Sequence, residues 1–115
     1  MQNLIRIGIV GYGNLGRGVE TSIQKNLDLQ LVGIFTRRAP ETVKPCFAET
    51  SVFHMDSLSE FKDKIDVLIL CGGSKDDLPQ QTPQLASQFN TVDSFDTHAR
   101  IPEFFDAVNV PALAN

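Results

Sequence analysis

The sequence predicts an α/β fold in which helices cover both faces of a parallel sheet of about five strands, the doubly wound arrangement. Short and nearly continuous apolar runs recur along the chain, as expected for strands that are covered on both faces. Segments with the apolar spacing of helices separate these runs. The first run also leads directly into a glycine-rich turn. The length of 115 residues suits a single domain.

The glycine-rich turn follows the first predicted strand, residues 4–10, and has the spacing Gly-x-Gly-x-x-Gly. Gly11 permits the tight turn, Gly13 leaves room for a pyrophosphate near the backbone, and Gly16 lets the next helix pack closely. Backbone N–H groups at the start of that helix face the phosphates, and the helix dipole favours their charge. The order of strand, turn and helix therefore predicts a Rossmann-like dinucleotide site. The alternative is a tight turn in a sheet that binds nothing.

The first helix is predicted over residues 14–26, where apolar side chains recur every four residues on one face. Polar residues between them, Glu20 among them, are expected to point outward. Gly18 lies inside this helix, where glycine costs about 1 kcal/mol relative to alanine. We therefore expect close packing of Gly18 on the sheet or on a cofactor.

The end of the second predicted strand, residues 29–35, indicates which dinucleotide binds. Enzymes that use NAD place an acidic residue here to bond the ribose 2′-hydroxyl, and an acid repels a 2′-phosphate. This chain has Thr36, Arg37 and Arg38 instead. Guanidinium groups present paired donors that fit phosphate oxygens, so the position favours NADP. The alternative is a solvated turn with two arginines.

A loop is expected over residues 39–51, because this stretch contains prolines and little apolar periodicity. Cys46 is expected to be tucked into the domain. Residues 52–55 then predict a short third strand. His54 lies within it and receives no role, since an isolated histidine is more often structural than a ligand.

Two further helices are predicted from capping patterns in the second half of the chain. Ser57 and Glu60 match a capping box at the start of a short helix. A later helix contains Pro83, which cannot lie quietly in a helix interior. We therefore expect Thr82 to act as a new cap, with Pro83 as the first residue of a restarted helix.

The fourth strand, residues 66–71, is the clearest buried strand in the sequence and should lie beside the first. The expected strand order is therefore 3-2-1-4-5. Cys71, Gly72, Gly73 and Ser74 follow at the strand end that opens on the ligand crevice. The two glycines allow the cofactor to approach the backbone, and the serine can donate a hydrogen bond.

A short fifth strand, residues 90–93, ends in a cluster of polar side chains. Two carboxylates, Asp93 and Asp96, and the imidazole of His98 lie within six residues. They are candidates for substrate contact or acid–base chemistry near the nicotinamide. The alternative is that the aspartates only shape a turn.

Composition limits the classes of partner. The net charge is −4 and the pI is about 5.0, which argues against nucleic acid and anionic membranes. No apolar run is long enough to span a bilayer, and the first residues read as a strand, so we expect no signal peptide. The two cysteines suit a reducing cytoplasm and match no metal motif.

Three segments together resemble the amino-terminal part of meso-diaminopimelate D-dehydrogenases: IVGYGNLGR (9–17), VGIFTRR (32–38) and VDSFDTH (92–98). The resemblance covers residues 4–105. It implies an NADP-dependent enzyme that oxidatively deaminates the D-centre of meso-2,6-diaminopimelate to L-2-amino-6-oxopimelate and ammonia, in lysine and peptidoglycan synthesis. It also implies a cytoplasmic homodimer.

The same resemblance implies roles for individual residues. The pyrophosphate would be met by Tyr12, Gly13, Asn14 and Leu15. The 2′-phosphate would be held by Thr36, Arg37 and Arg38. The ribose and nicotinamide would be lined by Cys71, Gly72, Gly73 and Ser74. Ser94, Phe95 and Asp96 would border the nicotinamide. Asp96 would also face the D-amino-acid centre, where a carboxylate can bind the ammonium and favour the iminium formed by hydride loss.

The family continues beyond this sequence into a substrate and dimerisation domain. We therefore expect residues 1–108 to form the NADP-binding domain, with a last helix over 102–108 and an unstructured tail over 109–115. On this reading the chain is a truncated product or a natural remnant. Two other functions stay open: a non-catalytic NADP-binding module, and another NADP-dependent reductase of lysine synthesis, such as a dihydrodipicolinate reductase-like protein.

Overall fold

Five strands form one parallel sheet in the computed structural model, which describes residues 4–72, 77–93 and 101–115. The strands are β1 (Ile5–Val10), β2 (Leu29–Thr36), β3 (Val52–His54), β4 (Val67–Leu70) and β5 (Asn90–Asp93). Their order is β3-β2-β1-β4-β5, and every neighbouring pair is parallel. The predicted fold class and strand order are therefore confirmed.

In the described ranges, two α-helices and two short 3₁₀ helices lie between the strands, and a third α-helix follows β5. The α-helices are α1 (Asn14–Gln24), α2 (Leu78–Ala86) and α3 (Ile101–Leu113), and the 3₁₀ helices are Pro40–Thr42 and Met55–Phe61. None of the helices in the described ranges is long and apolar enough to cross a membrane.

The core consists of two apolar clusters in which strand side chains meet different helices. One cluster joins Phe35 and Leu70 of the sheet to Leu78 of α2, and all three side chains are fully buried. The other joins Ile9 and residues of β2 to Ile23 of α1. Burial on both sides explains why the strand sequences are continuously apolar rather than alternating.

The carboxyl ends of the three central strands lie side by side. Val10, the last residue of β1, is paired with Phe35 of β2 and with Leu70 of β4. The chain connections from β1 and from β4 depart from neighbouring strands at the point where the strand order reverses. In doubly wound sheets this is where a ligand crevice opens.

The helix starts predicted at Ser57 and at Thr82 are wrong. His54, to which no role was given, caps the second 3₁₀ helix, because its Nδ1 accepts the backbone N–H of Asp56 at 3.1 Å. This helix begins at Met55, so Ser57 lies inside it and makes no capping box. Likewise α2 runs without a restart and contains Pro83, while Thr82 is buried in its interior. Packing of its apolar face on the core outweighs the lost hydrogen bond.

The unstructured tail predicted after residue 108 is also wrong in part, since α3 continues to Leu113. Its sequence contains no glycine, and its one internal proline, Pro111, lies in the last turn. A proline there removes only one of the hydrogen bonds that close the end of the helix.

Candidate functional site

A cleft of about 300 Å³ lies at the carboxyl ends of β1, β2 and β4. Three predicted groups of residues line it: Gly11, Tyr12 and Gly13 from the glycine turn; Thr36, Arg37 and Arg38 from the end of β2; and Cys71 and Gly72 after β4. Asn14 and Leu15 begin α1 beside the cleft and are exposed, whereas Gly16 is buried beneath the turn. The structure thus brings together groups that are far apart in sequence.

Each of the three glycines in the turn is suited to its position for a different physical reason. Gly11 has a positive φ of 86°, which side chains rarely tolerate. A Cβ at Gly16 would lie 2.8 Å from the carbonyl oxygen of Gly11, so the close packing predicted there is present. A Cβ at Gly13 would meet nothing within 4 Å, which leaves open space in front of the turn. Gly18 also faces open space, so it does not pack closely on the sheet, and its packing on a cofactor stays a prediction.

The start of α1 carries no side-chain cap and no acidic residue in its first turn. Its first backbone N–H groups are therefore left for other partners, as at helix starts that bind phosphate. Gly13 at the cap position is exposed. This end of α1 is suited to an anion that lies against the glycine turn.

The arginines after β2 are held in two different ways. The Nη2 of Arg38 donates to the backbone carbonyl of Tyr12 at 3.1 Å, and its backbone N–H donates to Oγ1 of the buried Thr36 at 3.1 Å. The Nη2 of Arg37 donates to Oδ1 of Asp77 at 2.9 Å. Arg38 is thus tied to the glycine turn, and Arg37 reaches the residue before α2.

The Arg37–Asp77 ion pair is a feature that the sequence reasoning missed. The Arg37 side chain is 67% exposed and that of Asp77 is 27% exposed. No sequence motif brings them together, because the contact spans 40 positions and depends on β4 lying beside β1. A carboxylate here competes with any phosphate for the guanidinium of Arg37.

Cys71 and Gly72, which follow β4, line the side of the cleft opposite the arginines. Burial raises the pKa of the Cys71 thiol to about 11, so the thiol stays neutral and is no nucleophile near pH 7. A Cβ at Gly72 would lie 2.9 Å from the Cβ of Asp77, so this position needs glycine. The absence of a side chain keeps the backbone close to the cleft.

A second cavity of about 440 Å³ continues from the cleft between the second 3₁₀ helix and α2. Arg37, Asp77 and Gln81 line both spaces. The Oε1 of Gln81 is buried and has no hydrogen-bond partner among the described residues.

The predicted residues Gly73, Ser74, Ser94, Phe95 and Asp96 lie outside the described residues. Their roles stay predictions. Asp93 is the last residue of β5 and is half-buried.

Glu20, expected to point outward, is fully buried, and that expectation is wrong. Its Oε1 accepts hydrogen bonds from the Tyr12 hydroxyl and the Cys46 N–H, and its Oε2 accepts from the Phe47 N–H and the Thr50 hydroxyl. Burial favours the neutral acid, but these four donors outweigh it and hold the pKa of Glu20 below its ordinary value. In the structure, Gly16, Glu20 and Ile23 form the buried stripe of α1.

The same network corrects the expectation for Cys46, whose side chain is exposed while its backbone N–H is tied to the network. Burial, with hydrogen bonds to Cys46 and Glu20, raises the pKa of the Tyr12 hydroxyl, which stays protonated. The guanidinium of Arg17 lies 5.1 Å from the centre of the Tyr12 ring on the outer side.

The sheet order, the positive φ at the first glycine and the cleft beside the second define a Rossmann-like α/β protein. No protein-family model matches the chain. The chain is 63% identical over 108 residues to the meso-diaminopimelate D-dehydrogenase of Ureibacillus thermosphaericus, covering 94% of this chain and 33% of that protein. The enzyme of the same name from Lysinibacillus sphaericus is 61% identical over 108 residues, with the same coverage.

Solved structures agree with these relatives. An engineered D-amino acid dehydrogenase bound to NADP+ is 45% identical, with a TM-score of 0.88, and the match covers 97% of this chain and 34% of that chain. The Corynebacterium glutamicum diaminopimelate dehydrogenase in complex with diaminopimelate is 43% identical, with a TM-score of 0.86, and the match covers 99% and 34%. The resemblance to meso-diaminopimelate D-dehydrogenases is confirmed, and the chain spans about one third of their length.

Proposed function

We propose that this chain is the NADP-binding part of a meso-diaminopimelate D-dehydrogenase. The whole enzyme is an oxidoreductase that converts meso-2,6-diaminopimelate to L-2-amino-6-oxopimelate and ammonia, in the synthesis of lysine and peptidoglycan. One observation carries the proposal: two arginines replace the usual acid at the end of β2, and one of them, Arg38, is tied at 3.1 Å to the glycine turn. A site with this charge suits the 2′-phosphate of NADP.

Different residues of the cleft suit the pyrophosphate and the 2′-phosphate of this cofactor. The open space at Gly13 and the uncapped start of α1 suit the pyrophosphate. Arg37 and Arg38 suit the 2′-phosphate, because each guanidinium offers several donors to phosphate oxygens. Thr36 acts beneath them by fixing the backbone of Arg38. A nicotinamide held here would supply the hydride acceptor for the oxidation of the substrate.

The remaining roles rest on the resemblance alone. We propose that Gly73 and Ser74 border the ribose and that Ser94 and Phe95 border the nicotinamide. Asp96 is proposed as the catalytic residue, which also contacts the cofactor and binds the ammonium of the D-centre. We propose that the NADP-binding domain comprises residues 1–108 together with the rest of α3. For the whole enzyme we propose a cytoplasmic homodimer that has no nucleic-acid partner.

A calorimetric titration of this chain with NADPH and with NADH tests the proposal. We expect NADPH to bind at least about tenfold more tightly, because hydrogen bonds to charged groups contribute about 1.5–3 kcal/mol each. Combining Arg37→Ala with Arg38→Ala should remove this preference while NADH affinity changes little. Equal affinity of the unsubstituted chain for the two nucleotides contradicts the proposal.

A matched control separates the two arginines from general charge. Lys25 and Lys62 are exposed and do not line the cleft. Combining Lys25→Ala with Lys62→Ala removes the same two positive charges and should leave the NADPH preference intact. An equal loss in both double variants would mean that the net charge of the chain, rather than a phosphate site, sets the preference.

A further inference from the structure

Four donors from the described part of the chain surround the buried carboxylate of Glu20, and none of these four is cationic. The Tyr12 hydroxyl lies 2.5 Å from Oε1 and the Thr50 hydroxyl 2.7 Å from Oε2, while two backbone N–H groups complete the shell at 3.0 and 3.3 Å. Its exposed fraction is 0%. Burying an unpaired carboxylate is costly, so hydrogen bonds of this number and geometry are needed to retain it.

These four donors come from two separate segments of the chain: the glycine turn, which lines the cleft, and residues 46–50. Tyr12 belongs to the glycine turn, and its own carbonyl accepts the Nη2 of Arg38 at 3.1 Å. The other three donors belong to residues 46–50, in the connection that follows Arg38 and returns to β3. The carboxylate of Glu20 therefore joins the glycine turn to residues 46–50, which follow the two arginines in the chain.

We infer that Glu20 is a positioning residue for the 2′-phosphate site: through the Tyr12 hydroxyl, it holds the glycine turn and Arg38 in the arrangement that receives NADP. The inference rests on the proposed function. Glu20 does not line the cleft and acts through Tyr12. A site that is held in its binding geometry before the ligand arrives loses less entropy on binding.

The test compares Glu20→Gln with Thr50→Val. Glutamine replaces one carboxylate oxygen by an N–H₂ donor, so the backbone N–H of either Cys46 or Phe47 loses its acceptor, and the bond from the Tyr12 hydroxyl no longer goes to a charged group. Thr50→Val removes a single bond to Oε2 and leaves the Tyr12 contact in place. Both variants are expected to unfold at lower temperature. Only Glu20→Gln is expected to weaken NADPH binding about tenfold more than NADH binding, the size of one lost buried bond.

Tyr12 supplies a readout that needs no ligand, because the chain contains one tyrosine and no tryptophan. The near-ultraviolet absorbance of the free protein therefore reports the hydrogen bonding of this one phenol. Glu20→Gln should shift the tyrosine band, and Thr50→Val should leave it near that of the unsubstituted chain. Tyr12→Phe keeps the ring and the carbonyl that Arg38 contacts, so it serves as a second variant expected to fold and to lose part of the NADPH preference.

The outcomes separate the positioning role of Glu20 from the proposed function of the chain. A shifted band in Glu20→Gln with an unchanged ratio of NADPH to NADH affinity overturns the inference, because the network then only anchors the loop. Equal loss of the ratio in Glu20→Gln and Thr50→Val overturns it too, since any loosening would have the same effect. An unsubstituted chain that binds neither nucleotide overturns the proposed function itself, and the inference with it.

Discussion

A side chain at position 13 would extend into the open space of the cleft, whereas one at position 16 would collide with the turn. The two glycines therefore make different demands at the residue scale. Gly16 is needed for folding, because its Cβ would approach the Gly11 carbonyl to 2.8 Å. Gly13 is needed only if something occupies the space in front of it.

We predict that Gly13→Val abolishes binding of NADPH and leaves the free protein folded. The branched side chain fills the room that a pyrophosphate needs, and no protein atom lies within 4 Å of its Cβ position. Circular dichroism should show a spectrum near that of the unsubstituted chain, and calorimetry should detect no binding.

Gly18→Val is the matched control, since Gly18 also faces open space but lies within α1 and outside the cleft. It should bind NADPH normally. If Gly13→Val binds as tightly as Gly18→Val does, the glycine turn is a structural feature and not a phosphate site.

Glu20 shows where reasoning about single residues from the sequence failed. An acidic residue between apolar positions of a helix is usually exposed, so the pattern of Leu15, Val19 and Ile23 placed it outward. The true buried stripe follows Gly16, Glu20 and Ile23, while Leu15 is 46% exposed. Donors for the carboxylate come from residues 46–50, and no local pattern announces such a distant partner.

At the scale of elements, the sheet could be predicted because each strand carries its own signal. A run such as Val67–Leu70 is apolar throughout, and the glycine turn marks the end of β1. The helix starts could not be predicted as well. Capping by His54 and the inclusion of Pro83 in α2 depend on how each helix packs, which outweighs local preference.

The residues of the candidate site, like the elements of the fold, could be predicted only in part. The glycine turn, the arginines and the backbone after β4 could be found, because each directly follows a recognisable strand and parallel strands end at the same edge. Asp77 and Gln81 were missed, since their place in the cleft depends on the packing of α2 against the second 3₁₀ helix. The roles of Ser94, Phe95 and Asp96 stay predictions.

The ion pair between the end of β2 and the start of α2 leads to a prediction at the same scale. We expect Asp77→Asn to raise the affinity for NADPH by up to about fivefold at low salt, because an ion pair near the surface, such as that with the Arg37 guanidinium, is worth about 0.2–1 kcal/mol. NADH affinity should not change, since it lacks the 2′-phosphate. Titration of both nucleotides at two salt concentrations measures the effect.

Asp28→Asn is the control for this prediction. It makes the same change in charge just before β2, and Asp28 is exposed there, far from the cleft. It should leave the affinity for NADPH unchanged. A fall in NADPH affinity in Asp77→Asn would show that Asp77 orients Arg37 for the phosphate and does not compete with it.

At the scale of the whole molecule, the charge of the cleft differs from that of the chain. The net charge is −4, yet the end of β2 carries two adjacent arginines beside an uncapped helix start. Because the chain as a whole carries negative charge, its net charge does not attract anionic nucleotides at long range. Selectivity for a phosphate must therefore come from short, directed hydrogen bonds within the cleft.

The last prediction concerns turnover by these 115 residues. Oxidation of an amino acid requires the α-hydrogen to be aimed at the nicotinamide and the distal carboxylate to be anchored, and such positioning is worth about 7–11 kcal/mol. After Asp96 the sequence has one cationic side chain, Arg100, whereas diaminopimelate carries two carboxylates that need partners. We therefore expect the chain to bind NADPH but to reduce NADP at the background rate when meso-diaminopimelate is added.

The absorbance of NADPH at the nicotinamide band measures this rate, with the Ureibacillus thermosphaericus relative as the positive control. Binding of NADPH by the same sample shows that the chain is folded, so an absent rate has a defined meaning. In the longer relative, replacing the residue aligned with Asp96 by alanine should lower turnover strongly and leave NADPH affinity nearly unchanged, because a carboxylate that binds ammonium acts on the substrate. Turnover by the short chain at a normal enzymatic rate would instead place every essential substrate contact within it.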